Sequence, residues 1–483
     1  MPYLRETPMN VAEKPAQFVS PDLVARFTQI VGEKFAITDK DAQAPYLVEQ
    51  RYMYPAHSAV ILRPGSTAEV SAILKLANET GTAIVPQGGN TGLVGGQTPH
   101  HGEVLLSLNR MTKIREIDVA SNTMTCEAGV TLGAARAAAD EVDRLYPLLL
   151  PSEGSCTVGG NLSTNAGGTQ ALSYGIARQQ ALGLEVVLAD GRVLNNLNKL
   201  KKDNTGYDLK NLFIGAEGTL GIITAAVLRL IPKPRSVETA YVGVESPESA
   251  LELLMLANSM TTEITSFEIM FRQGIDVVLT HMSGCRDPLP TRHPWYVLIE
   301  LSSQSATGLR ERMEEILGAG MERGLVIDAT IADSIDQQKA FWRVRELFGD
   351  AQRADGASIK HDVSVPVAQV PRFLREAGEA VQKVSPGARP MPFGHLGDGN
   401  IHYNVQQAIG GDGKAFLAQW DVVNDAVFDV VMSLGGSISA EHGIGVMKRD
   451  HLPKVKDPVA YDLMKTLKQT LDPKGILNPG KVL

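Results

Sequence analysis

At 483 residues, with 43% hydrophobic and 21% charged side chains, the chain is long enough for two or three domains of ordinary globular composition. Its net charge of −8 argues against a nucleic-acid binder, and its three cysteines, Cys126, Cys156 and Cys285, lie far apart without a C-x-x-C pair, so neither a disulfide framework nor a zinc ribbon or iron–sulfur set is indicated. No run of about 18 apolar residues appears and the N-terminus lacks the apolar core of a secretion signal, so a reducing cytoplasm is expected, with peripheral membrane contact left open.

Residues 1–18 read as a mobile tail, after which Ser20 caps a helix carrying Pro21, Leu23, Val24, Phe27 and Ile30 on its pattern. Residues 60–62 read as a short buried strand, Arg63-Pro64-Gly65 as a turn, and Ser66 as the cap of a helix with apolar residues at 70, 73, 74 and 77. A strand ending at 83–85 is then broken by Pro86 and runs into PQGGNTGLVGG, where five glycines follow within eleven residues. Glycines let main-chain N–H groups crowd around a ligand, so this loop can cradle a pyrophosphate. It carries neither a Walker lysine nor G-x-G-x-x-G, and a plain surface connection stays equally open on this stretch alone. Another strand is expected at 104–108, and 126–130 leads to an alanine-rich helix after Thr131.

Two further glycine-rich stretches follow: LPSEGSCTVGGNLSTNAGGTQALSYG at 150–175, rich in small hydroxyls and amides, and DNTGYDLKNLFIGAEGTLGIITAAVLRL at 203–230, which feeds an apolar strand. Three such turns in one region are hard to explain as unrelated loops. A domain boundary is placed near 235, after Pro232-Lys233-Pro234-Arg235. Beyond it, strands at 237–244, 264–269 and 295–301 alternate with helices at 247–259 and 307–318, which predicts an antiparallel sheet covered on one face.

Three polar clusters mark this second half. In PFGHLGDGNIHYNV, glycines at 394, 397 and 399 make a tight turn, and a hairpin-like return would bring His395 beside His402, which shares a strand face with Asn404. SAEHGIG places Glu441 next to His442. Two imidazoles and a carboxylate form a half-open metal set, but this spacing is no general metal signature, so an ordinary polar turn stays open as well. The third cluster is Arg345 on a helix that ends at Asp355-Gly356, followed by a strand in which Lys360, Asp362 and Ser364 alternate onto one face; a solvated charged face is its default reading. Residues 420–440, with Val422, Val423, Val427, Phe428 and Val431 at helical spacing, read as core helix, and the chain closes on ILNPGKVL.

PQGGNTGLVGG, PSEGSCTVGGNLSTNAGG and FIGAEGTLGIITAAVLRLIP resemble the FAD-binding half of the vanillyl-alcohol-oxidase-type flavoproteins, and the whole chain is most similar to their D-2-hydroxyacid dehydrogenases, which include D-2-hydroxyglutarate and D-lactate dehydrogenases and the glycolate oxidase catalytic subunit. The resemblance implies an α+β fold with a two-subdomain FAD-binding domain at 1–235, an α+β substrate domain at 236–420 built on an antiparallel sheet, and a helical segment at 421–483 that returns to the FAD domain. It implies FAD contacts from Pro86, Gln87, Gly88, Gly89, Asn90, Thr91 and Gly92 at the pyrophosphate. Around the flavin and adenosine it implies Ser152, Gly159, Gly160, Asn161, Thr164, Asn165, Gly167 and Gly168, then Glu217, Gly218, Gly221, Ile222, Ile223 and Asn478. No histidine lies in the first two glycine segments, so the FAD is expected to be non-covalent. The resemblance makes His395, His402 and Glu441 ligands of a divalent metal, zinc or manganese, and His442 the base. Arg345, Lys360, Asn404 and His442 become the substrate contacts. One departure is Gly349, where the family pattern has a threonine one helical turn after the arginine. The implied reaction is oxidation of a D-2-hydroxy acid, D-2-hydroxyglutarate before D-lactate or glycolate, with electrons passed to an electron-transfer flavoprotein or a quinone; a homodimer is open. A non-redox transferase like alkylglycerone-phosphate synthase, which shares the FAD fold, is the alternative.

Overall fold

The computed structural model describes residues 19–483, so the expected tail at 1–18 lies outside the described residues. The chain forms two compact units: 19–168, 175–232 and 441–483 make the first, and 169–174 with 233–440 make the second. The crossing at 232/233 lies close to the expected boundary. The expected C-terminal segment divides differently, since only residues from Glu441 onward join the first unit. The reason is packing: helix Trp420–Ser433 buries Val423, Val427 and Val431 within the second unit, with Phe428 edge-on to His361, while Val422 points outward at 54% exposure.

Two larger sheets and a two-stranded ribbon, Arg144–Leu145 with Ile231–Pro232, build the first unit. Strands Ala36–Ile37, Ile61–Leu62, Val104–Ser107 and Ile84–Gln87 form the first in that order, its last two pairings parallel. Helices Pro21–Val31 and Thr67–Thr80 pack on it through Phe27, Ile73 and Leu74. The cap residues act as expected: the Ser20 and Ser66 hydroxyls accept from the Leu23 and Glu69 main-chain N–H groups. Pro86 does not break its strand, because Ile84–Gln87 is the sheet edge, where a missing N–H is tolerated. The C-terminus extends that edge: Ile84 donates to the Ile476 carbonyl at 2.8 Å and Asn478 donates to the Ile84 carbonyl at 2.8 Å. The second sheet, Ile114–Asp118, Thr123–Glu127, Ile222–Arg229, Ala181–Val187 and Val193–Asn196, is antiparallel throughout.

The second unit is one seven-stranded antiparallel sheet in the order Asp328–Ile331, Ser236–Val244, Trp295–Ser303, Ile264–Phe271, Arg389–His395, Asn400–Gln406, Ser358–Ser364. Helices cover both faces, not one. Phe348 packs on Phe393 and Phe341 on Tyr241 on one side, and Phe373 packs on Tyr403 on the other. The central strands say why: Trp295–Ser303 is buried at six consecutive positions, and such a strand must be shielded on both sides.

Candidate active site

In the first unit the loop after Gln87 meets the start of helix Val158–Thr164. Gly89 allows no side chain, because a Cβ there would collide with the Ser155 carbonyl oxygen, and a Cβ at Gly88 would collide with the Thr157 hydroxyl. Asn90 holds the left-handed conformation with φ of 56°. Among the described residues, no protein acceptor meets the main-chain N–H groups of Gly88, Gly89, Asn90, Thr91 or Gly92. Five successive unsatisfied donors on a half-buried turn match the backbone cradle that a pyrophosphate requires. Gly159 and Asn161 are buried on the adjoining helix, and a Cβ at Gly218 would collide with the Pro86 ring.

Other expected cofactor residues have internal duties. Glu217, at φ of 51°, is buried and accepts from the Ile444 and Gly445 N–H groups at 2.7 and 2.9 Å, so its carboxylate fastens the third glycine turn to the C-terminal segment. Burial pushes this carboxyl up to about 7 against the pull of those donors and of Lys448. The Asn165 side chain accepts from the Arg178 N–H at 3.0 Å, and Gly221 sits against Val186 and Phe213. Ile222 and Ile223 are buried in their strand. The Asn478 amide donates to the carbonyls of Gly96 at 2.9 Å and Glu217 at 2.8 Å, and its own oxygen is buried without a partner among the described residues. Glu441 accepts from the Gly168 N–H at 2.5 Å, and a side chain at Gly167 would strike that carboxylate. The glycine pair at 167 and 168 therefore seats Glu441. His442, the next residue, is half-buried.

In the second unit, the hairpin of Arg389–His395 and Asn400–Gln406 pairs Phe393 with His402 and Met391 with Asn404, which brings His395 and His402 onto one face with ring centroids 5.4 Å apart. His395 Nδ1 lies 2.5 Å from Glu268 Oε1, and Arg345 Nε donates to Glu268 Oε2 at 2.6 Å. Glu268 is fully buried; burial alone would push its carboxyl up, but the Arg345 charge and the His395 ring pull harder and hold it at about 2. An ionised carboxylate only accepts, so His395 donates from Nδ1, and in the neutral ring the lone pair lies on Nε2. His402 Nδ1 lies 3.7 Å from Asp362 Oδ1, beyond direct hydrogen-bond reach. A carboxylate behind Nδ1, as at His395, is the usual support of a metal-ligating histidine.

Arg345 is nine-tenths buried over the Phe393 ring at 4.7 Å, not on a solvated face, and its two terminal nitrogens have no protein acceptor among the described residues. Lys360 pairs with Asn404 across the strands, and its ammonium donates to the Gly349 carbonyl at 3.1 Å. The Asn404 amide nitrogen is engaged by Gln352 at 2.7 Å, so one of its hydrogen-bonding groups is already used. Sequence reasoning missed Glu268. Its only local signal is a single acid inside the apolar strand ITSFEIMF.

Comparison with known proteins identifies the family. Residues 58–196 match the FAD binding domain and residues 233–482 match the C-terminal domain of FAD linked oxidases. A relative from Arabidopsis thaliana named D-2-hydroxyglutarate dehydrogenase, mitochondrial, is 41% identical over 95% of this chain and 81% of its own length. The chain belongs to the FAD-dependent D-2-hydroxyacid dehydrogenases. A Bos taurus member of the same name is 40% identical over 98% of this chain and 85% of its own. Among solved structures, p-cresol methylhydroxylase with substrate bound shares the fold at 19% identity and a TM-score of 0.75, covering 97% of this chain and 98% of its own. With this membership the non-redox transferase alternative loses its support. No helix among the described residues is long and apolar enough to cross a membrane.

Proposed function

We propose that this dehydrogenase oxidises D-2-hydroxyglutarate to 2-oxoglutarate with FAD and a divalent metal, zinc or manganese, and passes electrons to an acceptor other than NAD, such as an electron-transfer flavoprotein or a quinone. The observation that carries the reading is the buried Glu268 carboxylate, which holds the guanidinium of Arg345 on one oxygen and the imidazole of His395 on the other. An anion-binding fork and a metal-type histidine on one carboxylate suit a substrate whose carboxylate and hydroxyl sit on adjacent carbons. Bound FAD would take the hydride at N5, and a divalent cation held by His395, His402 and Glu441 would acidify the substrate hydroxyl. Arg345 clamps the substrate carboxylate through its terminal nitrogens, and His442 takes the hydroxyl proton, a task suited to a neutral imidazole near pH 7. Lys360 adds the second cationic group that a distal carboxylate needs. D-Lactate or glycolate is the second reading, favoured by the Gly349 carbonyl that occupies the Lys360 ammonium.

The location proposed is a reducing compartment, the cytoplasm, in keeping with three unpaired cysteines; the two relatives above carry a mitochondrial name. The assembly proposed is a homodimer. The decisive experiment on the metal is depletion with EDTA followed by anaerobic mixing with D-2-hydroxyglutarate. Flavin reduction should cease and return with Zn²⁺ or Mn²⁺. Full activity in demonstrably metal-free protein refutes the metal assignment.

A further inference from the structure

We propose that Glu268 is the positioning residue of the second unit: it sets the proton of His395 on Nδ1 and the edge that Arg345 presents, both at once. The inference rests on the reading of Arg345 as carboxylate clamp and of His395 as metal ligand.

Glu268 lies mid-strand in Ile264–Phe271, flanked by Phe267 and Ile269, and is fully buried. A carboxylate in such a place is strongly unfavourable unless every oxygen is matched by a donor. Here each is, and the two partners come from separate elements: Arg345 from helix Ile335–Glu346, 77 residues away, and His395 from the end of strand Arg389–His395, 127 residues away. With Nε engaged and the plane laid over Phe393, the guanidinium can turn only its terminal nitrogens to a ligand. With Nδ1 donating, the neutral imidazole presents Nε2 as a lone pair. One side chain therefore fixes both groups, and neither is a group it shares with solvent.

The amide isostere separates the two duties, because the partners differ in what they can accept. Arg345 Nε–H can only donate, so the oxygen of a glutamine at 268 stays with it. The NH₂ group then faces His395 Nδ1, which must become the acceptor, and the imidazole proton moves to Nε2. Metal binding at that nitrogen suffers while the arginine keeps its partner.

The test is Glu268→Gln, prepared metal-free with ¹⁵N-labelled histidine. NMR at alkaline pH should show His395 as the Nδ1–H tautomer in the wild type and as the Nε2–H tautomer in the variant. The Kd for Zn²⁺ or Mn²⁺, measured by equilibrium dialysis, should rise about 10- to 100-fold, the usual effect of losing a partner behind a ligating histidine. At saturating metal, KM for D-2-hydroxyglutarate should stay close to wild type, and flavin content should be unchanged. Should the variant fail to accumulate folded, Glu268→Asp carries the test: an acceptor one methylene shorter cannot reach both partners, so either metal Kd or KM rises. A wild-type tautomer with wild-type metal affinity in Glu268→Gln, or wild-type Kd and KM in Glu268→Asp, overturns the proposal. Absence of metal uptake by the wild type counts against the metal reading instead, and the tautomer comparison still decides the role of Glu268.

Discussion

Gly168 donates its main-chain N–H to the Glu441 carboxylate at 2.5 Å, a contact between a glycine-rich turn and a residue 273 positions later. The second glycine segment is thus divided: its early part, Gly159 and Asn161, lines the buried helix beside the Gly88–Gly92 loop, and its end seats a candidate metal ligand. Gly167→Ala should displace Glu441, because the added methyl strikes the carboxylate. The expected outcome is normal flavin content with metal affinity lowered about tenfold or more, the scale on which disturbed ligand support acts. Metal analysis alongside the visible flavin spectrum checks it.

The flavin should be released by acid or heat. No histidine lies in the glycine loop at 86–92 or in the segment at 150–175, and the loop offers main-chain donors, which hold a pyrophosphate without a covalent bond. Flavin that stays on the denatured, precipitated polypeptide would show the opposite.

Gly349 lies near the start of helix Phe348–Ala354, and a Cβ built there meets nothing within 4 Å. Gly349→Ala should therefore raise stability by about 0.5–1 kcal/mol through the lost backbone freedom of the unfolded chain, measured by denaturant unfolding. A threonine should also fit. If Lys360 serves a distal carboxylate, Lys360→Ala should lower kcat/KM for D-2-hydroxyglutarate more than for D-lactate, and equal losses would assign the lysine elsewhere.

His100 provides a pH test. Burial and the neighbouring Lys481 lower its imidazole from 6.5 to about 4, while its Nδ1 meets the Pro55 carbonyl at 3.2 Å. Between those values the unfolded chain binds a proton that the folded chain does not. Its contribution is fully present above about pH 6.5 and is lost as the pH falls toward 4, on the order of 1–2 kcal/mol after allowance for partial exposure. His100→Gln should flatten the fall in stability over that window, as read by urea unfolding at a series of pH values.

Much of the first unit was legible in the sequence because its signals are local. Ser20 and Ser66 cap helices by bonding three residues ahead, and the glycines of 86–96 announce a turn by their own conformational freedom. The hairpin that joins His395 to His402 was legible for the same reason, since its turn glycines lie between them. What stayed hidden depends on distance. Glu268 gains its meaning from partners 77 and 127 residues away, and Asn404 meets Gln352 across 52 residues, pairings that no periodicity encodes. Helix Arg272–His281, packed with Phe348 on one face of the seven-stranded sheet, and helix Val370–Val384, which brings Phe373 to the other, were not anticipated, so the sheet's two-sided cover was missed.

The central claim is that one enantiomer of a 2-hydroxy dicarboxylate delivers its hydride to the flavin, and anaerobic stopped-flow mixing of the metal-loaded enzyme with D- and L-2-hydroxyglutarate and with D-lactate tests it most directly. The account predicts full bleaching by D-2-hydroxyglutarate and none by the L form. It predicts slower bleaching by D-lactate, and a loss of about 10²- to 10⁴-fold in rate in His442→Ala, the usual contribution of a positioned base. Bleaching by both enantiomers alike, or by none of the three acids, would contradict it.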